Sequence, residues 1–139
     1  MVRIDPAFDG ASEPLASLPL CEVRLQNDAR FPWLILIPCI DGLVEIEDLG
    51  QGDRVRLLDE AVLSGRAVRA IGEALGRPVE KLNIGQLGNL TRQLHVHVVG
   101  RRADDPCWPG PVWGQGAPAG YEINDLAVAR AAALGVLRL

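Results

Sequence analysis

Basic runs, paired cysteines and long apolar stretches are all missing from this chain, and histidine occurs only twice. With no cluster of Lys and Arg and a formal net charge of −4, nothing provides long-range attraction for a polyanion, so no nucleic-acid partner is expected. A small phosphate ligand stays allowed, because a few local donors suffice for it. No apolar stretch reaches the roughly 20 residues of a membrane helix, and no basic stretch followed by an apolar run marks a signal peptide. No membrane partner is therefore expected, and the expected location is cytoplasmic. The three cysteines (Cys21, Cys39 and Cys107) are odd in number and widely spaced. That fits reduced, mostly structural thiols better than a disulfide framework or a zinc finger.

What is present fits one domain of 139 residues. A chain of that length buries roughly 68% of its unfolded surface and needs no disulfide or metal to fold. Residues 1–19, rich in Pro, Ser and Ala, read as an extension draped over the surface, with a short helix around Phe8. Leu20–Gln26 alternates as a strand, and Trp33–Pro38 is a continuous apolar run that reads as a strand buried on both faces. The turn residues Asn27-Asp28-Ala29-Arg30 make the two an antiparallel hairpin. Ile40–Gln51 reads as an irregular connection with a helical turn at Ile46–Leu49. The longest helix follows, with Asp53 as its N-cap and Val55, Leu58, Val62, Val68, Ile71 and Leu75 on one buried face. Gly76 and Pro78 stop it, and Gly65 in its middle costs about 1 kcal/mol relative to Ala.

Lys81–Gln86 and Gln93–Val99 read as two more strands around a hairpin loop at Leu87–Thr91. Residues 101–120 form a Pro/Trp-rich loop. The closing segment 121–139 carries a short Ala-rich helix, Asn124–Leu134, capped by Asn124. The expected class is α+β: an antiparallel sheet with one long helix and a short C-terminal helix.

Both histidines fall in Gln93–Val99. In a strand, residues two apart share a face at roughly 6.5–7 Å spacing. Gln93, His95 and His97 then line one side, backed by Leu94, Val96 and Val98 on the other. A rigid apolar wall of this kind can hold an imidazole in one orientation. A polar, merely solvated strand face is the plain alternative. Zinc is a second, but tetrahedral sites need three or four protein ligands and no third ligand stands at a recognisable spacing. Neither a metal nor a cofactor is expected.

Gln93-Leu94-His95-Val96-His97-Val98-Val99 resembles the histidine-triad (HIT) motif, His-φ-His-φ-His-φ-φ with φ apolar. The order strand pair, long helix, strand pair is similar to the HIT domain from about Leu20 to Gly100. Pro106–Gly114 is similar to a bacterial branch of HIT-like proteins. The resemblance implies that His95 is the nucleophile attacking an α-phosphate and that His97 contacts phosphate oxygens. Gln93 stands where the family's first, supporting histidine would be. Gln keeps a donor and an acceptor but cannot titrate; if that position gave acid–base help, the change would cost typically 10²–10⁴-fold.

Further candidates follow from the same likeness. Asn83 on the neighbouring strand and Asn89 and Thr91 in the loop before the motif would lie by the phosphates. Asn27 and Asp28 would lie by the ribose. Apart from the likeness, the aromatic faces of Trp113 and Trp108 suit walling the pocket or stacking a base, with core or dimer packing as their other use. Arg101 and Arg102 are ordinarily a solvated strand end. The implied activity is that of a nucleotidyl hydrolase or transferase on a dinucleoside polyphosphate or nucleoside phosphoramidate, through a nucleotidyl-histidine intermediate. The alternative is a nucleotide-binding module with little or no turnover. The resemblance also implies a homodimer formed through the long helix and the sheet edge.

Overall fold

A computed structural model describes residues 2–138; Met1 and Leu139, the two ends of the expected single domain, lie outside them. A 3-10 turn at Pro6–Gly10 precedes β1 (Ser12–Ser17), β2 (Cys21–Gln26) and β3 (Trp33–Pro38). A second 3-10 turn, Ile46–Asp48, leads into α1 (Gln51–Ala74), then β4 (Lys81–Gly85), β5 (Val96–Arg101) and α2 (Ile123–Leu137). The strands form one sheet in the order β1-β2-β3-β5-β4, every neighbouring pair antiparallel. The α+β class and its two helices are as expected.

Two cores lie on opposite faces of this sheet. Leu34, Leu36, Val96 and Val98 point toward α1 and α2 and join Val68, Ile71, Ala129 and Ala133 in the larger core. Trp33, Ile35, Ile37 and Val99 point the other way and form a smaller core with Phe8, Phe31 and Val112. That second face is covered by irregular chain, the Pro6–Gly10 turn and the loop after β5, and it carries His97.

Several expectations need correction. Residues 1–19 are not all draped chain, because Ser12–Ser17 adds an edge strand to β2. Its Pro14 hid it, although an edge strand tolerates proline, and the register shifts between Pro14 and Ala16. The N-cap of α1 is Gly50, not Asp53, which sits in the first turn. The helix also faces the core differently: Val55, Leu58 and Val62 are 57%, 64% and 48% exposed. Val68 and Ile71 are buried as expected, and Leu57, Ala61, Ser64 and Ala67 are buried in place of the other three. Small residues win that face because the sheet approaches closely; a Cβ at Gly65 would meet Leu82 Cδ1 at 2.9 Å. The expected helix penalty at Gly65 is therefore the cost of letting β4 close on α1. β5 begins at Val96 rather than Gln93 and runs to Arg101, so the long loop starts at Arg102. α2 starts at Ile123 behind Glu122, one residue ahead of the expected cap Asn124, and continues to Leu137.

Candidate active site

β5 lies between β3 and β4, and its register sets what surrounds His97. Ile35 stands opposite it on β3 and Gly85 opposite it on β4. Gly85 leaves a gap in the sheet surface that the Trp113 ring fills; a Cβ there would meet that ring at 3.0 Å. Trp33, diagonal to His97 on β3, closes the other side. The His97 ring lies 5.7 Å from Trp33, 5.5 Å from Trp113 and 4.9 Å from His95, all edge-on. Phe8 stands edge-on to His95 at 4.9 Å. Both histidines are buried, at 6% and 9% exposure.

Each imidazole has one fixed hydrogen-bond partner, and the two partners have opposite character. His95 Nδ1 lies 2.7 Å from the Gln93 carbonyl oxygen. A carbonyl only accepts, so Nδ1 carries the proton, and in the neutral ring the lone pair is on Nε2. The Trp33 indole Nε1–H donates to His97 Nδ1 at 3.0 Å. Indole only donates, so His97 Nδ1 carries the lone pair and Nε2 carries the proton. One ring thus presents a nucleophile, its neighbour a donor. Burial, with the His95 ring beside it, pulls the His97 pKa down to about 3, so this donor is neutral at physiological pH.

The rings open into a cleft of about 490 Å³. Asn89, Thr91, Trp113, His95 and His97 all line it, together with Asp28, Arg30, Trp33 and Leu90. Among the described residues, no group of three or more His, Cys, Asp or Glu side chains is gathered to hold a metal ion.

Other expected site residues lie elsewhere. Asn83 is on the same sheet face as Gly85, but its Oδ1 accepts from Arg101 Nη1 at 2.9 Å. It does not line the cleft. Asn27 accepts from the Tyr121 amide through Oδ1 at 3.0 Å and ties the chain leading into α2 to the end of β2. Its neighbour Asp28 faces the cleft instead, paired with Arg30 at 2.8 Å. The Gln93 side chain turns to the N-terminal segment, accepting from Asp5 N–H at 2.7 Å and donating to the Arg3 carbonyl at 3.1 Å.

Arg101 is not solvated; at 1% exposure it is among the most buried side chains. It makes a two-pronged pair with Asp105, at 2.8 and 3.0 Å, and stacks between the Phe31 and Trp108 rings. Burial alone would raise the Asp105 carboxyl. Hydrogen bonds from Arg101 and from the Arg102 and Cys107 amides outweigh it and hold the pKa at about 2. This buried pair anchors the loop that carries Trp113 over the site. Arg102 instead binds Asp104 and the Pro78 carbonyl at the surface. Sequence reasoning missed Trp33, Phe8 and Arg30; no spacing marks them, since each comes from a different segment.

Comparison with known proteins shows the family and agrees with the fold. The HIT domain model matches residues 11–104. A histidine-triad protein from Sinorhizobium meliloti is 39% identical over 99% of this chain and 98% of its own, with a TM-score of 0.88. Histidine-triad proteins from Bradyrhizobium japonicum and Marinobacter aquaeolei are 33% and 34% identical. They cover 98% and 99% of this chain and 98% and 97% of their own, with TM-scores of 0.90 and 0.88. No match is found among curated proteins. This chain belongs to the histidine-triad (HIT) domain family.

Proposed function

We propose that the protein is a nucleotidyl hydrolase or transferase acting at the α-phosphate of a dinucleoside polyphosphate or nucleoside phosphoramidate. The observation that carries this reading is the pair of opposite hydrogen-bond partners at one cleft, a carbonyl on the His95 imidazole and an indole N–H on the adjoining His97 imidazole. His95 Nε2 attacks the α-phosphorus, and the bond to the leaving oxygen or nitrogen breaks. The nucleotidyl-histidine formed is then cleaved by water, which releases a nucleoside monophosphate and restores the imidazole. Dividing one hard displacement into two easier ones is the gain of a covalent route. The His97 Nε2–H faces the charge that develops on the phosphate oxygens, and a donor held in a fixed orientation is most effective there. Gln93 need not titrate in this scheme, since its direct contact with His95 is through its backbone carbonyl.

The test is incubation with diadenosine triphosphate and with an adenosine phosphoramidate of a simple amine. Expected are release of AMP from at least one of them, an AMP adduct on His95 after rapid quenching, and loss of turnover by roughly 10⁴-fold or more in His95→Ala. Tight nucleotide binding without release of AMP from either would leave only a binding module.

A homodimer belongs to the same proposal. Val55, Leu58 and Val62 make an outward apolar stripe along α1, and exposed Ile84 lies on the adjoining edge strand β4. Such a patch is what a two-fold interface buries. Scattering should give twice the 15.0 kDa chain mass, and a monomeric mass at micromolar concentration would exclude the pairing.

A further inference from the structure

Gln93 is half-buried at the edge of the site, and its two ends act on different things. Its carbonyl holds the His95 Nδ1 proton. Its side-chain amide grips two backbone groups of the N-terminal segment, the Asp5 N–H through Oε1 and the Arg3 carbonyl through Nε2. Asp5 in turn is the origin of the first 3-10 turn: its carboxylate accepts from Ala7 N–H at 2.9 Å and its carbonyl from Phe8 N–H at 3.1 Å. Phe8 is the residue this turn delivers, edge-on, to the His95 ring. Ile4 and Phe8 both pack into the smaller core beside Trp33 and Ile35. A path of direct contacts therefore runs from the Gln93 amide through Asp5 to Phe8 and back to His95.

We propose that Gln93 is a positioning residue whose side-chain amide clamps residues 3–5 and thereby holds Phe8 against the nucleophile. An amide carries its acceptor and its donor side by side on one carbon, which is what the paired Asp5 N–H and Arg3 carbonyl require. An imidazole carries its acceptor and donor on nitrogens that point apart, so a histidine at position 93 would satisfy one of these groups and strand the other. Glutamine at this position is thus a gain of an N-terminal wall for His95 and not the loss of a catalytic group. With the wall in place the His95 ring is held from its Nδ1 side by the Gln93 carbonyl and across its face by Phe8. Its Nε2 lone pair is then confined to the direction of the cleft.

This inference rests on the proposed reaction for its kinetic readout, and on amide exchange for a readout independent of any substrate. The experiment compares wild type, Gln93→His, Gln93→Glu, Phe8→Ala and the Gln93→His/Phe8→Ala double variant, each first shown by thermal melting to fold. Gln93→His should lower kcat about 10–100-fold, the scale of loss when a reacting group is misplaced by about 1 Å, while KM changes little. Gln93→Glu keeps the acceptor for Asp5 but repels the Arg3 carbonyl, and should fall between. Phe8→Ala should match Gln93→His, and the double variant should be no slower than the slower single one, because both break one path. Exchange at the Asp5 and Phe8 amides should accelerate in Gln93→His. A Gln93→His variant as active as wild type or more so, or additive losses in the double variant, would overturn the clamp. If wild type turns over neither substrate, the reaction fails and the clamp is judged by amide exchange: unchanged protection at Asp5 and Phe8 in Gln93→His overturns it, and lost protection supports it.

Discussion

The two faces of the sheet are built in different ways. On one, α1 and α2 lay regular helices against Leu34, Leu36, Val96 and Val98 in an apolar core, and the buried Glu60 of α1 accepts from the Leu20 and Cys21 amides at its edge. On the other, a 3-10 turn and a loop rich in Pro and Trp cover Trp33, Ile35 and Val99, with two imidazoles set among the rings. The helical face supplies stiffness, since residues alternate along β5 and each step into the large core fixes the neighbour pointing into the cleft. The irregular face supplies partners of chosen polarity. It takes an indole N–H from β3, a carbonyl from the chain ahead of β5 and a phenyl ring from the N-terminal turn. Regular helix packing and chemistry are therefore divided between opposite sides of the same strand, and the buried Arg101–Asp105 pair adds stability on the chemical side.

Mutations on the two sides should separate these roles. The largest expected effect on stability is from Arg101→Ala, which leaves Asp105 buried without its cation and should cost about 3–5 kcal/mol. Because that pair anchors the loop carrying Trp113, turnover per folded molecule should fall as well. On the helical face, Ile71→Ala should cost about 2–5 kcal/mol through the cavity it leaves. There, kcat/KM of the folded protein should stay at the wild-type value. Denaturant titrations paired with kinetics at low denaturant check both; an equal loss of kcat/KM in the two variants would erase the distinction between the faces.

A smaller effect should appear with pH. His97 is held neutral in the folded chain, chiefly by burial and then by His95, with a pKa of about 3. In the unfolded chain an ordinary imidazole titrates near 6.5. Above about 6.5 neither state binds the proton and the full stability is present. As pH falls below it the unfolded state takes up a proton that the native ring refuses, so stability declines from about pH 6.5 down toward 3. Denaturation midpoints measured at pH 7, 6 and 5 should fall in that order, and the part of the decline due to His97 should vanish in His97→Gln.

The same division decides what could be read from the sequence. Regular alternation made β2, β3 and the histidine pair legible, and the family motif located His95 and His97 at the cleft. The apolar stripe Val55, Leu58, Val62 was visible too, but its direction was not. Periodicity shows that a helix has an apolar face without saying whether a core or another surface covers it, and here Ala61, Ser64 and Gly65 allow the closer packing. Asn83 was misplaced because its partner, Arg101, looked like a solvated strand end until Asp105, Phe31 and Trp108 closed around it. Trp33 was legible only as core. Its indole N–H matters through a diagonal neighbour on another strand, a relation that exists only once β3 and β5 are paired. Phe8 and Asp5 come from aperiodic chain, where sequence offers turn residues but no hint of what the turn faces.

The central claim is that two adjoining imidazoles are held in opposite tautomers. Nitrogen-15 correlation spectra of the histidine side chains at pH 7.5 measure this directly. His95 should be protonated on Nδ1 and His97 on Nε2, with the His97 pattern altered in Trp33→Phe. Finding both rings in the same tautomer, or His95 protonated on Nε2, would contradict it.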